Sequence, residues 1–388
     1  MTHRTMIKPW ILCGLCLLAP HAALADDANS VEAVDVFVSG AEGYHTYRIP
    51  SVIATPDGTL LAFCEGRKTG RGDHGDIDLV AKRSVDGGKS WGPLELVYEE
   101  GGAAKTTIGN PCPVVDQATG TIWLPFCRDN DDVFVTHSSD DGESWSEPVE
   151  ITGDVKKPGW GWYATGPGVG VQLQAGPHRG RLVIPCDHRE EVDGRDTMFS
   201  HIFYSDDQGK TWKLGGSVEK HTDECQVAEL NDGRLMINMR NYWGRTAKVP
   251  EHGGMRAVSY SDDGGETWSP LEFHEKLVEP VCQASLLRYS PISEGGNNVL
   301  LFSNPASTST RERLTVRMSK DEGRTWAASR VLHLGPSAYS CLVVLPDQSI
   351  GCLFERGDRS AYESIRGARP SLAGLTHPAR GKSDPRAG

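Results

Sequence analysis

The sequence predicts an all-β fold, a six-bladed β-propeller, from three observations. Short apolar runs are punctuated by abundant Gly (44) and Pro (23), and no long stretch follows the 3.6-residue helical period. A box with Ser, Asp, Gly, Ser/Thr and Trp at fixed offsets recurs five times. A second repeat, a turn leading into an apolar strand with a polar end, recurs six times.

The box is Ser84-Val-Asp86-Gly-Gly88-Lys-Ser90-Trp91, and it returns ending at Trp145, Trp212, Trp268 and Trp326. Successive tryptophans are 54, 67, 56 and 58 residues apart. Asp before Gly suits a tight hairpin, because the carboxylate bonds nearby amides and Gly accepts positive φ. The Trp is expected to pack over that turn. A calcium role is disfavoured, since each box has one dominant carboxylate and a turn accounts for it.

The second repeat runs Pro56-Asp57-Gly58 to Arg67, Thr119-Gly120 to Asn130, Arg179-Gly180 to Arg189, Asn231-Asp232-Gly233 to Asn241, Gly295-Gly296 to Asn304 and Pro346-Asp347 to Arg356. Each of the first five copies is followed by one box. Six units of about 60 residues with four strands each stack radially into one domain. The segment Val34 to Val38 is expected to supply the closing strand of the sixth unit. The last apolar run is interrupted by Gly367 and Pro370, so weak closure is expected there.

The ends are read separately. Arg4 and Lys8 precede the apolar run Trp10 to Leu18, and Ala23-Leu24-Ala25 is a small-residue cleavage motif. Residues 1–25 therefore read as a secretory signal peptide, too short for a membrane anchor. Residues 26–375 form the propeller, and the polar tail 376–388 is expected to be disordered. No later segment is apolar enough to span a bilayer. Localisation is expected to be periplasmic or extracellular.

Removing the leader and its two cations takes the formal charge from −12 to −14. Such a surface repels nucleic acid and anionic membranes. Two of the 10 cysteines leave with the leader. Cys64, Cys127, Cys186 and Cys352 sit in apolar strands, which favours buried free thiols over disulfides. No CxxC pair remains, so no zinc site is expected.

Strand direction gathers chemistry on one rim. In the first unit, Arg48 begins a strand that leaves this rim and Arg67 ends the strand that returns, with Asp73 in the following loop. Glu65 shares a face with Arg67. The same reasoning brings Glu224, Arg240, Arg311, Tyr339 and Glu355 to that rim. Three arginines at one mouth of an acidic protein suit a planar carboxylate guest, which guanidinium groups grip bidentately.

Here the residues resemble the bacterial exo-α-sialidase family. Tyr47-Arg48-Ile49-Pro50 is similar to its [FY]RIP motif, and the Trp boxes to its Asp boxes. The resemblance also covers Asp73 to Asp78, Glu224-Cys225-Gln226, Ile237 to Asn241, Ser303 to Arg311, Ala338-Tyr339-Ser340 and Leu353-Phe354-Glu355. It spans roughly Val38 to Arg366.

The resemblance implies roles. Arg48, Arg240 and Arg311 would grip the sialic acid carboxylate, with Glu355 holding Arg48. Tyr339 would attack the anomeric carbon with Glu224 as base, and Asp73 would be the acid/base. Arg67, backed by Glu65, would line the N-acyl side. Sialylated glycans would be the substrates, cleaved with retention and without metal or organic cofactor. A neutral phenol avoids the repulsion that a carboxylate nucleophile would meet beside the substrate carboxylate.

Alternatives stay open. Asp76 and Asp78 compete with Asp73 for the acid role. Asn110, Asp129, Trp160, Trp162 and Tyr163 also fall in rim loops, as glycan contacts or as packing. A non-catalytic sialic acid-binding propeller, a structural propeller and an enzyme acting on another nonulosonic acid are the rival readings.

Overall fold

A computed structural model describes Met1 and residues 31–102, 105–292 and 298–376. Residues 2–25 of the expected leader, residues 377–388 of the expected tail and the Gly295-Gly296 turn lie outside them. Residue 376 itself ends a short helix, Leu372–Thr376.

From Val31 onward the described chain is almost wholly β. Its strands form five hydrogen-bonded sheets, one of them seven-stranded. The long strand Ala328–Val344 pairs through Pro336 with Glu312–Ser319, and from Ser337 onward with Ile350–Arg356. Divided there, the seven-stranded sheet becomes two four-stranded sets that share one strand. The described residues therefore form six successive sets, each packed against the next and the sixth against the first, in a propeller-like arrangement.

The last set closes as expected and more firmly than expected. Glu32–Val38 pairs antiparallel with Ser364–Arg369. That strand forms in spite of Gly367, and Pro370 lies just past its end, where no ladder N–H is required. Arg366 reaches Asp35 at 2.8 and 2.9 Å, and Arg369 reaches Asp347 at 2.9 Å.

The boxes form the expected turns. Asp86 Oδ1 accepts the Lys89 and Ser90 amides at 3.0 Å, and its other oxygen takes the Ser90 hydroxyl at 2.6 Å. Gly88 stands at φ 83°, in the left-handed region that favours glycine. The tryptophans differ from expectation, because they reach the preceding set as well as their own turn. Trp145 meets Phe63 edge-on at 5.6 Å, Trp212 meets Trp123 at 6.1 Å, and Trp268 Nε1 donates to the Gly216 carbonyl at 3.0 Å. Each of these rings thus joins neighbouring sets; Trp212 is buried there, and Trp145 and Trp268 are partly buried.

The eight cysteines of the described chain are all buried and unpaired. Among the described residues no helix is long and apolar enough to cross a membrane, and no group of three His, Cys, Asp or Glu is placed to hold a metal.

The axis is filled. Gln283 Nε2 donates to the Pro167 and Ser340 carbonyls at 3.0 Å, and Ser51 Oγ donates to Gly168 O at 2.7 Å. Gln226 joins this polar plug through Val169 O at 3.2 Å. Beneath it lies a cavity of about 900 Å³ lined by Val52, Val114, Val171 and Leu286, with none of Arg48, Arg240 and Arg311 in its wall.

Candidate active site

Three inner strands are irregular where they meet the arginine rim. Pairing shifts register between Arg48 and Ser51, between Thr222 and Cys225, and between Ser337 and Ser340. Such bulges re-aim side chains. Ile49 is held at φ 62°, an uncommon state for a β-branched residue, and its N–H is anchored to Glu355 Oε1 at 3.0 Å. Arg48, Glu224 and Tyr339 sit at these three irregularities.

Tyr339 is the hub. Its hydroxyl donates a short hydrogen bond to Glu224 Oε1 and lies 3.2 Å from Arg240 Nη1. Arg240 Nη1 also reaches Glu224 Oε2 at 2.7 Å. The guanidinium carbons of Arg48 and Arg311 stand 4.8 and 5.6 Å from the Tyr339 ring centroid. Burial pushes the phenol well above its ordinary pKa, the Glu224 charge adds to that, and the three arginines only partly offset it. Tyr339 therefore rests neutral, beside the carboxylate that can take its proton.

Glu355 is fully buried and forks onto Arg48, Nε to Oε1 at 3.0 Å and Nη2 to Oε2 at 3.3 Å. Burial acts most strongly against the Arg48 charge, but Glu355, Tyr339 and Tyr362 together outweigh it, so the guanidinium stays protonated. Arg311 donates to the Tyr362 hydroxyl at 3.1 Å and the Val281 carbonyl at 3.2 Å.

Asp73 is the exposed carboxylate at this mouth, 58% accessible, 3.0 Å from Arg67 Nη1 and 3.5 Å from Arg48 Nη1. Asp76 and Asp78 are engaged elsewhere. Both lie 3.1 Å from Lys68 Nζ, and Asp78 takes the Tyr44 hydroxyl at 2.6 Å. Of the three acids, geometry leaves Asp73 facing the arginines.

Two residues expected at the mouth brace that loop. Arg67 is buried, with Nε and Nη2 on Glu65 Oε2 at 2.9 and 2.6 Å and Nη1 on the Arg71 and Gly72 carbonyls at 2.6 and 2.9 Å. It clamps the Asp73 loop from behind. Asn110 is buried too, donating to Asn130 at 2.7 Å, while Asn130 holds the Asp73 carbonyl at 2.9 Å. Glu65 completes this brace by accepting the Asn110 N–H at 3.0 Å, and a β-carbon at Gly109 would strike it.

Tyr163 was expected at the mouth and is not there. Its side chain is fully buried among Trp160 and His201, with its hydroxyl on the Val155 carbonyl at 3.3 Å. Trp160 is likewise core, and Asp129 accepts the Thr107 N–H at 2.9 Å. Trp162 does reach the rim, edge-on to His74 at 5.8 Å.

Sequence reasoning missed Tyr242, Tyr362, Asp187 and Asp223. Tyr242 accepts from Arg240 Nη2 at 2.8 Å, and Tyr362 lies beneath Arg48 at 4.3 Å. Asp223, next to Glu224, had the clearest signal.

The BNR repeat-like domain family matches residues 58–352. A sialidase of Micromonospora viridifaciens is 36% identical over 85% of this chain and 53% of its own length. The chain belongs to the sialidase family. A sialidase of Bacteroides fragilis is 33% identical over 84% of this chain and 63% of its own length. The chain thus spans between half and two thirds of these two relatives. Among solved structures, Hadza microbial sialidase Hz136 superposes with a TM-score of 0.77 at 31% identity, over 88% of this chain and 69% of that one. An intramolecular trans-sialidase from Ruminococcus gnavus, at 20% identity and TM-score 0.72, shares the sialidase fold over 89% of this chain.

Proposed function

We propose that the protein is an exo-α-sialidase that hydrolyses terminal α-linked sialic acids with retention. The observation that carries this reading is the hydrogen bond from Tyr339 to Glu224 inside a fan of three arginines.

Arg48, Arg240 and Arg311 take the substrate carboxylate and so fix the anomeric carbon over Tyr339. The Tyr339 oxygen bonds to that carbon as its proton passes to Glu224. The glycosidic bond breaks, and Asp73 gives its proton to the departing oxygen. In the second step Asp73 takes a proton from water, the water oxygen bonds to the anomeric carbon, and the electron pair returns to Tyr339, which recovers its proton from Glu224. Sialylated glycans are the substrate class. Export, directed by residues 1–25, belongs to the same reading.

The test is release of a fluorescent aglycone from an α-sialoside by the purified protein, beside Tyr339→Phe and Asp73→Ala. Turnover that is lost in Tyr339→Phe supports the reading. A folded protein that binds sialic acid without turnover points to a sialic acid-binding propeller instead.

A further inference from the structure

Near Arg240 lie two carboxylates that the proposed reaction does not use. Asp187 sits in the strand Leu182–Val192 and is fully buried. Its Oδ1 accepts the indole N–H of Trp162 at 3.0 Å. Its Oδ2 is buried with no donor facing it. Asp223, only 4% exposed, lies within hydrogen-bonding reach of Asp187 and 3.5 Å from Arg240 Nε.

Two facing carboxylates without a proton would leave an orphaned buried oxygen and an uncompensated charge, both costly. One proton between them removes both faults. Asp223 has the cation beside it and keeps the charge, whereas Asp187 has only the indole.

We propose that Asp187 is a protonated carboxylic acid which donates to Asp223, and that this pair positions Arg240 for the substrate carboxylate. The inference rests on the sialidase reading for its kinetic consequence, not for its chemistry. Both residues are positioning residues, acting through Arg240.

The groups facing Asp187 agree with this assignment. Burial acts first to hold its proton, and the Asp223 and Glu224 charges act in the same direction, with Arg240 opposing. Across the strand it pairs with Ala164 and Ser200, which carry no charge. Cys225 and Tyr242, also nearby, are both held protonated by burial. Loss of the Asp187 proton at alkaline pH would add a negative charge beside Arg240 and weaken its hold on an anionic substrate. The sign is that KM rises with pH while kcat moves less.

Two measurements test the proposal. In infrared spectra at neutral pH, the whole protein shows a protonated-carboxyl band that Asp187→Asn removes and Tyr339→Phe retains. In α-sialoside kinetics, Asp187→Asn keeps a donor and never ionises, so it abolishes the alkaline rise in KM. Asp223→Asn removes the charge 3.5 Å from Arg240 Nε and raises KM about tenfold or more at neutral pH, the scale of one close buried ion pair. Absence of the band, or an alkaline KM limb unmoved in Asp187→Asn, overturns the proposal. If the parent shows no turnover, the sialidase reading fails while the infrared band still decides the proton.

Discussion

Glu355 and Tyr339 are joined through the main chain, the Tyr339 N–H donating to Glu355 Oε2 at 3.1 Å. The same carboxylate holds the Arg48 guanidinium and the Ile49 N–H. One buried side chain thus sets the spacing between the proposed nucleophile and the first arginine.

Glu355→Ala should therefore damage both activity and stability. It leaves Arg48 with only the exposed Asp73, at 3.5 Å, and two amides without acceptors, a loss of about 3–5 kcal/mol. The expected result is a melting temperature several degrees lower and kcat/KM at least about a hundredfold lower. A variant with the parent's melting curve would contradict this account of Glu355.

Arg67 should act on kcat more than on KM. Its contacts hold Glu65 and the Arg71 and Gly72 carbonyls, so Arg67→Ala frees the Asp73 loop. Mispositioning an acid by about 1 Å costs on the order of a hundredfold in rate. If steady-state kinetics showed a pure KM effect, Arg67 would instead be touching substrate.

The box aspartates should shape acid stability. Hydrogen bonds from the Ser144 hydroxyl and amide lower Asp140 to about 2. At Asp263 burial acts upward, but the Thr267 hydroxyl and amide win and hold it at about 2. A depressed folded pKa gives stability that is present above the ordinary value near 4 and fades as pH falls toward 2. Calorimetry between pH 5 and 2 should show a shallower fall in melting temperature for Asp263→Asn than for the parent. Parallel curves would remove the boxes from the acid response.

The thiols should be inert. Burial raises Cys127 and Cys341 to about 12, so the reactive thiolate is scarce at neutral pH. A chain of residues 26–388, which holds only the eight described cysteines, should resist thiol-specific labelling, and reductant should leave its melting temperature unchanged. Rapid labelling without unfolding would show that at least one cysteine is accessible.

The repeat-bearing parts of this fold were legible because turns and tryptophans mark them at fixed offsets. Strand direction likewise sufficed to bring Arg48, Arg240, Arg311, Tyr339 and Glu355 to one rim. The failures have separate causes. Alternation assigns neighbouring residues to opposite faces, yet the bulge between Thr222 and Cys225 lets both Asp223 and Glu224 approach Arg240. No residue type announces that bulge. Tyr163 was misplaced because a rim position in sequence says nothing about whether a ring turns inward, and here Trp160 and His201 receive it. Asp187 was invisible because it ends no repeat and follows the apolar run of its strand.

The pairing of Glu32–Val38 with Ser364–Arg369 also bears on biosynthesis. A growing chain carries its first strand through the making of every other set before the partner emerges. Until then two sheet edges stay open, and open edges invite pairing with other chains. A polypeptide stopped short of Ser364 would keep both edges, with its arginine cluster already assembled. The ring locks only once Ser364–Arg369 has been made.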